Sequence, residues 1–394
     1  MIRKLKNLGH AIIADAANLL YGKPGKKIAT IGVTGTDGKT TTASLIFHIL
    51  REAGENPAMI TTVTAQIGDE TYDTGLHTTT PSSFIVQRYI KRAVDAKCNY
   101  LVLEVTSHAL DQNRVHGVDF KIGVLTNITH EHLEYHKTRD AYIEAKSKLF
   151  KLAATSILNM DDSSYQDIRS KLSGKNILTY SLKNKGADFN LKSTGVKFPA
   201  QFEFNSENFL AAVAATATLG IDKQKIAAAL STFNFPAGRQ EIVYEKDFKI
   251  IIDFAHTPNA FEKVLPALKQ ETKGRLIHVF GCAGERDRAK RSLMGQIASK
   301  FDDVIILTAE DSRSEEIESI NEQIKLGIKD YRGEMFEIAD RQKAIDFAVR
   351  SAQKGDTIVI TGKGHEQSMN LGNGEIPWSE HEVVEHALKI LDKS

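Results

Sequence analysis

With 394 residues, 41% of them hydrophobic, the chain is long enough to bury two or three cores rather than one. Lys and Arg number 51 against 50 Asp and Glu, a formal charge of +1, so no global field directs the protein to nucleic acid or to a membrane. The two cysteines, Cys98 and Cys282, are too few and too far apart for a disulfide framework or a CxxC metal site, which fits a reducing cytoplasm.

No stretch approaches the roughly 20 apolar residues that span a bilayer. At the start, Arg3, Lys4, Lys6, Lys23, Lys26 and Lys27 surround the apolar run Ala11 to Leu20. A basic start with a short apolar run imitates a secretion signal, but Asp15 and Asn18 interrupt it and no small-residue cleavage pattern follows. Residues 1–26 therefore read as an amphipathic helix and connector packing on the body, with weak contact to a membrane surface as the second reading.

Beyond it the pattern is a succession of βα units without internal repeats. Lys27 to Val33 reads as a strand and Lys39 to Ala53 as a helix, with Leu45, Ile46, Ile49 and Leu50 as its apolar stripe. Tyr100 to Glu104 and Ile122 to Leu125 have the length of buried strands, and Ser206 to Leu219 and Ile221 to Phe233 read as helices. After a linker at Phe235-Pro236-Ala237-Gly238, strands at Ile250 to Phe254, Leu276 to Gly281, Val304 to Thr308, Met335 to Ile338 and Thr357 to Thr361 alternate with helices. That alternation predicts a parallel sheet with right-handed crossovers. Polar residues gather after each of these strands, which places them in one crevice outside the strand ends, as a substrate-binding domain.

Between the first strand and its helix lies Gly35-Thr36-Asp37-Gly38-Lys39-Thr40-Thr41. Glycines let backbone N–H groups curl around phosphate oxygens, the helix N-terminus adds partial positive charge, Lys39 supplies a cation, and the Thr40 hydroxyl suits Mg²⁺. The common spacing would put glycine at Val33, whereas Gly32 lies one residue earlier. The NKxD signature of a GTPase is absent, since Asn184-Lys185-Gly186-Ala187-Asp188 has one residue too many. Val102-Leu103-Glu104 reads as a strand ending in a metal-binding acid.

From Gly32 onward the chain resembles the Mur ligases, and within them the UDP-N-acetylmuramoyl-tripeptide synthetase branch. The matching segments follow in order: Gly32 to Thr42, Thr79-Thr80-Pro81, Glu104 to Val115, Thr126 to His136, Ala145 to Phe150, Asn159 to Asp162, Phe204 to Asn208, Gly238 to Glu241, Asp253 to Pro258, Phe280 to Arg288 and Gly362 to Glu366. The resemblance implies an α/β fold, with a P-loop ATPase domain on a mainly parallel sheet (27–236) and a Rossmann-like C-terminal domain (237–394). It also implies ATP-dependent, ADP-forming amide ligation through an acyl phosphate, adding lysine, ornithine or meso-diaminopimelate to a muramoyl dipeptide in peptidoglycan precursor synthesis. The partners would be these small molecules and no nucleic acid, and the protein a cytoplasmic monomer.

Residue by residue, the resemblance assigns ATP to Gly35 through Thr41, Asn127, Asn205 and Asn208, with Arg239, Asp253 and His256 reaching it from the second domain on closure. Two magnesium sites would draw on Thr40, Glu104, His132 and Lys146, the last carbamylated; Lys39, Glu104, His132 and Lys146 form the catalytic set. Thr79, Thr80, Ser107, Gln112 and Arg114 match positions that hold the acceptor, and Arg286, Asp311, Arg313, Gly362 and Glu366 those that hold the amino acid. On residue type alone Lys146 reads as a surface helix lysine, Asn205 as a helix cap, and Arg313 as a partner of Glu315 or Glu316 at a helix start. His130, His132 and His136 lack a fourth ligand for zinc.

The chain also departs from the family. Its loop begins at Gly35, without the domain that grips uridine diphosphate, so a lipid-linked or nucleotide-free acceptor, or contacts from another chain, enter consideration. Asp37, Thr106, Glu131 and Glu134 are conservative replacements. Glu310-Asp311-Ser312-Arg313 stands where a diaminopimelate enzyme has DNPR, and Asp311 in place of Asn adds negative charge suited to the ammonium of lysine or ornithine. The competing readings are a folylpolyglutamate-synthase-like ligase and a non-catalytic nucleotide-binding regulatory subunit.

Overall fold

The computed structural model describes residues 2–72, 79–129, 131, 133–195 and 205–391. The chain divides into two compact units, Met1–Asn234 and Phe235–Ser394, parting at the head of the Phe235-Pro236-Ala237-Gly238 segment.

Among the described residues the first unit has an eight-stranded sheet: β1 (Ala29–Thr34), β2 (Pro57–Ile60), β3 (Ala65–Ile67), β4 (Glu70–Tyr72), β5 (Tyr100–Glu104), β6 (Phe120–Leu125), β7 (Thr155–Asn159) and β8 (Asn176–Tyr180). Their order is β4-β3-β2-β5-β1-β6-β7-β8, and among these described strands β3 alone runs opposite to the rest. β1, β5 and β6 are apolar runs buried on both faces, as central parallel strands must be. Register pairs Val33 with Glu104 and Thr34 with Leu125, so the ends of these three strands meet at one edge. The chain order reverses about β1, and the loop leaving it opens at that switch point.

Behind the loop runs the helix Lys39–Glu52, against which the Ala-rich helix Ser206–Thr218 packs. The latter is buried on nearly every side, as an all-apolar helix should be. The next helix starts at Lys223 rather than Ile221, because the Asp222 side chain caps it by accepting Gln224 N–H at 2.8 Å.

The N-terminal helix spans Ile2–Leu20 and belongs to the first unit. Its Ala14 and Ala17 are fully buried, Asn7 Nδ2 donates to Asp111 at 3.1 Å, and Asp15 lies 2.8 Å from His116. Asn18 sits over Gly117. Of the two residues that interrupt the apolar run in the sequence, Asp15 thus ties the helix to His116 and Asn18 packs over Gly117. No helix among the described residues is long and apolar enough to cross a membrane.

In the second unit β9 (Glu241–Glu245), β10 (Lys249–Asp253), β11 (Leu276–Phe280), β12 (Val304–Leu307), β13 (Glu334–Glu337) and β14 (Thr357–Thr361) form a sheet ordered β13-β12-β11-β14-β10-β9. Only β9, at the edge, runs antiparallel among these described strands. Alternate residues enter two cores: Ile251, Leu276, Phe280, Ile305 and Leu307 on one face, Ile250, Ile252, Ile277, Val279, Val304 and Ile306 on the other. A hairpin of β15 (Ser368–Asn370) and β16 (Glu375–Pro377) follows.

Two buried polar groups tie the strand ends together. His278 Nδ1 lies 2.7 Å from Asp302 and Nε2 2.9 Å from Thr361 Oγ1. Arg341, fully buried, pairs with Glu380 and donates to the carbonyls of Ala309 at 3.0 Å and Thr361 at 2.7 Å. Arg341→Met would strand the Glu380 charge, so unfolding in urea is expected to lose about 3–5 kcal/mol. A midpoint indistinguishable from the parent's would show that the pair is not a staple.

Candidate functional site

The loop Gly35-Thr36-Asp37-Gly38 turns under close constraint. Gly38 has φ +77° and opens the helix; a Cβ there would lie 2.2 Å from Asn208 Oδ1. At Gly35 a Cβ would fall 1.8 Å from Thr126 Oγ1. Gly32 is not part of this loop: it lies within β1 under Phe120 and Leu149.

A loop of this kind must dispose of its carbonyls. Lys39 Nζ donates to Thr36 O at 2.7 Å, Lys146 Nζ to Gly35 O at 2.6 Å, and Thr126 Oγ1 to Asp37 O at 2.7 Å. Asn127 clamps Asp37 twice, accepting its N–H at 2.9 Å and donating to its carbonyl at 3.2 Å. Thr36 Oγ1 accepts Thr129 N–H at 3.0 Å and meets Tyr142 OH at 3.1 Å. Thr41 is buried at the helix start. Asn205 stands at the N-cap of its helix without a side-chain capping bond; instead its Oδ1 accepts Asn208 Nδ2 at 2.7 Å, and Asn208 Oδ1 accepts the Thr42 hydroxyl at 3.4 Å. The capping role is therefore not what the side chain does.

At the end of β5, Glu104 is 1% exposed, and its Oε2 accepts the hydroxyls of Thr40 and Thr62 and the Thr62 N–H, each at 3.0 Å. A carboxylate and a hydroxyl held together beside a phosphate-type loop are hard oxygen donors suited to Mg²⁺. Lys146, likewise 1% exposed, is no surface lysine. Its ammonium lies 4.6 Å from the Tyr142 ring centroid. Burial, then the nearby Lys39 cation, holds its pKa well below the ordinary lysine range, against the opposing pull of Asp37, Glu131 and Asp162. His132 and His130 lie outside the described residues; among those described, no cluster of three or more His, Cys, Asp or Glu could hold a metal.

The residues matched to the acceptor adjoin this edge. Thr80 Oγ1 donates to Glu104 O at 3.1 Å and accepts Thr106 N–H at 3.0 Å, and Thr79 precedes it half-buried. Arg114 donates to Thr80 O at 2.7 Å and to Gln112 at 2.9 Å, and Gln112 reaches Tyr135 OH at 3.3 Å. Ser107 Oγ lies 2.9 Å from His136 Nε2, both buried. His136 is thus engaged with Ser107 through Nε2.

In the second unit, Arg239 lies over the Phe254 ring at 4.3 Å, and His256 and His365 flank that ring at 4.7 and 5.0 Å. His256 Nδ1 donates to Phe254 O at 2.7 Å, while Asp253 accepts the backbone N–H groups of Gln240 at 2.7 Å and Ala255 at 2.6 Å, fixing the loop that follows Arg239. Burial lowers His365 to about 3, leaving it neutral. Arg313 (φ +51°) donates to Gly284 O at 2.5 Å and lies 3.6 Å from Asp311, so it does not pair with Glu315 or Glu316. Glu315 is taken by Arg291 at 2.9 Å and by Arg288 at 3.2 Å. Arg286 is exposed on the neighbouring loop. Asp311 pairs with fully buried Lys363 at 2.9 Å, which also binds Glu366 at 2.5 Å. Gly362 (φ +107°) passes directly over Glu310, whose Oε2 finds no hydrogen-bond partner among the described residues.

The sequence reading gave no site role to Thr62, Tyr142, Lys363 or Glu310. Lys363 stood inside a matched segment without a role, whereas Thr62 follows a strand too short to recognise.

Residues 33–216 match the Mur ligase middle domain and residues 238–364 the Mur ligase, glutamate ligase domain. The UDP-N-acetylmuramoyl-L-alanyl-D-glutamate–2,6-diaminopimelate ligase of Geobacillus kaustophilus is 38% identical, aligned over 96% of this chain and 82% of its own length. That of Aquifex aeolicus is 39% identical over 95% of this chain and 80% of its own. A solved ligase of the same designation is similar with a TM-score of 0.61 at 31% identity, covering 93% of this chain and 79% of that one. E. coli FolC in complex with DHPP and ADP shares the fold alone, with a TM-score of 0.70 at 17% identity over 96% of this chain and 92% of its own.

Burial pushes Glu310 up to about 7. Between the ordinary glutamate pKa and that value the folded chain keeps a proton the unfolded chain has released, so stability falls as pH rises through the window. Glu310→Gln is expected to be more stable than the parent by about 1–3 kcal/mol at about pH 8, and to lose that advantage near pH 4. Thermal melts at the two pH values with the same difference would show that Glu310 does not titrate this way.

Proposed function

The chain belongs to the Mur ligase family, and from that premise we propose that it joins a diamino acid to a muramoyl-L-alanyl-D-glutamate acceptor during peptidoglycan precursor synthesis. Mur ligases use ATP and generally need Mg²⁺. In this reading an acceptor carboxylate oxygen attacks the γ-phosphorus of ATP, ADP leaves, and an acyl phosphate forms. The amine of the diamino acid then attacks the acyl carbon; inorganic phosphate departs, the amine gives up a proton, and an amide bond remains.

The observation that carries the reading is the loop with its carbonyls anchored by Lys39, Lys146 and Thr126 beside the Thr40–Glu104 pair. Lys39 exchanges the Thr36 carbonyl for the β- and γ-phosphates, and Asn205 and Asn208 border the nucleotide. Arg239, Asp253 and His256 are the proposed nucleotide-binding residues of the second unit, with Arg239 beside the backbone that Asp253 holds. Thr40, Glu104 and His132 would hold Mg²⁺, which offsets repulsion between the carboxylate and the γ-phosphate. Thr80, Ser107, Gln112 and Arg114 seat the acceptor. The second magnesium would be completed by a carbamate on Lys146, formed when the uncharged amine adds to CO₂ and releases a proton; the lowered pKa supports that uncharged form.

For the amino acid we infer 2,6-diaminopimelate. The argument for lysine or ornithine rested on an uncompensated Asp311, and Lys363 compensates it. Arg313 and Arg286 add positive charge suited to a further carboxylate, and relatives at 38–39% identity bear that amino acid in their names.

ADP formation should require acceptor and diamino acid together, and Lys39→Ala should abolish it; turnover near the parent rate would break the mechanism. Arg313→Ala is expected to raise KM for diaminopimelate by about 10- to 100-fold with kcat little changed, and to affect lysine less. A larger loss for lysine would overturn the choice. Assays crossing UDP-linked with UDP-free acceptors define the handle. For Lys146, ¹³C-bicarbonate should give a carbamate carbon resonance that Lys146→Arg removes; an unchanged spectrum would dismiss the carbamate.

A further inference from the structure

The N-terminal helix has a second apolar face that the fold does not use. Ala14, Ala17 and Asn18 turn inward, whereas Ile12, Leu19 and Leu20 are 62%, 69% and 70% exposed, and Ile13 is 48% exposed. Positions 12, 16, 19 and 20 share one side of a helix, and Ala16 completes the stripe. Isolated exposed apolar residues are ordinary, but a row of them on one helix marks a contact surface.

Charge identifies the contact. The first 27 residues hold six basic side chains and a single acid, although the whole chain has a formal charge of only +1. Arg3, Lys4 and Lys6 precede the stripe, and exposed Lys23, Lys26 and Lys27 follow it. The acid, Asp15, is engaged with His116 at 2.8 Å. A second copy would bring like charges together, whereas an anionic surface complements them.

We propose that the helix Ile2–Leu20 docks in the plane of an anionic lipid bilayer, its Ile12–Leu19–Leu20 stripe among the acyl chains and the exposed Lys23, Lys26 and Lys27 among the headgroups. This is the arrangement of an interfacial amphipathic helix. The helix is moored through Asn7 to Asp111, which also accepts Tyr135 OH at 3.1 Å, and Tyr135 in turn meets Gln112. Docking therefore holds the Gln112–Arg114 edge close to the lipid surface. The proposal stands independently of the ligase reading, since lipid binding is measured without turnover.

The full chain should co-float with phosphatidylcholine vesicles containing phosphatidylglycerol, bind pure phosphatidylcholine at least about tenfold more weakly, and dissociate as salt rises. Ile12→Glu with Leu19→Glu, both on the exposed face, should reduce binding by about tenfold or more while the thermal melt is unchanged. Lys23→Glu with Lys26→Glu should reduce binding to the anionic vesicles selectively. No binding by the parent chain, equal binding to both vesicle types, or binding unaffected by the glutamate pairs would overturn the proposal. So would a dimer in light scattering that Ile12→Glu dissolves while vesicles are ignored, because the stripe would then be a self-association face.

Discussion

A loop that offers its N–H groups to an anion has to turn its carbonyls inward, and a carbonyl taken from water must find a donor. That constraint organises the first unit. Gly35, Thr36 and Asp37 send their carbonyls to Lys146, Lys39 and Thr126 in turn, and Asn127 adds a second bond to Asp37. The donors come from the loop's own helix, the end of β6 and the helix Arg139–Leu152. They can converge because parallel register brings the ends of β1, β5 and β6 to one edge. The sheet thus exists in the order that lets three distant segments close around four residues.

This explains what could be read in advance. β1, β5 and the helix after the loop are dominated by local signals, continuous apolar runs and a one-sided stripe, and their bounds emerged within a residue or two. β2, β7 and β8 are four or five residues long, and their pairing is decided by neighbours rather than by their own pattern. Glu104 was legible because it ends an apolar strand. Thr62, its partner, was not, since nothing local says that the turn after β2 will fold onto Glu104.

The second unit shows the same limit in electrostatics. Asp311 in place of Asn looks like one more negative charge in the sequence. Folded, it is half of a pair with Lys363, a residue 52 positions away that also binds Glu366. The negative charge that an aspartate adds there is therefore paired with a buried cation rather than left to stand alone. Meanwhile Glu310, beside it, is the carboxyl left without a hydrogen-bond partner on one oxygen among the described residues, beneath the Gly362 turn. Which of two adjacent acids pairs with Lys363 is settled by backbone direction, and sequence order does not encode it.

Lys146 presents the remaining puzzle in physical terms. Satisfying the Gly35 carbonyl requires only a donor, and an amide or hydroxyl would serve without desolvating a cation. Lysine is the expensive choice, since burial and the Lys39 charge both oppose its protonation. The same two effects shift the balance toward the uncharged amine, which is the reactive form of lysine. Its place beside the loop, near the Asp37, Glu131 and Asp162 charges, is the physical ground of the carbamate proposed above. Should the amine take up a carboxyl group, the group there turns from a disfavoured cation into an anion beside Lys39, and the electrostatic conflict between the two lysines becomes an attraction.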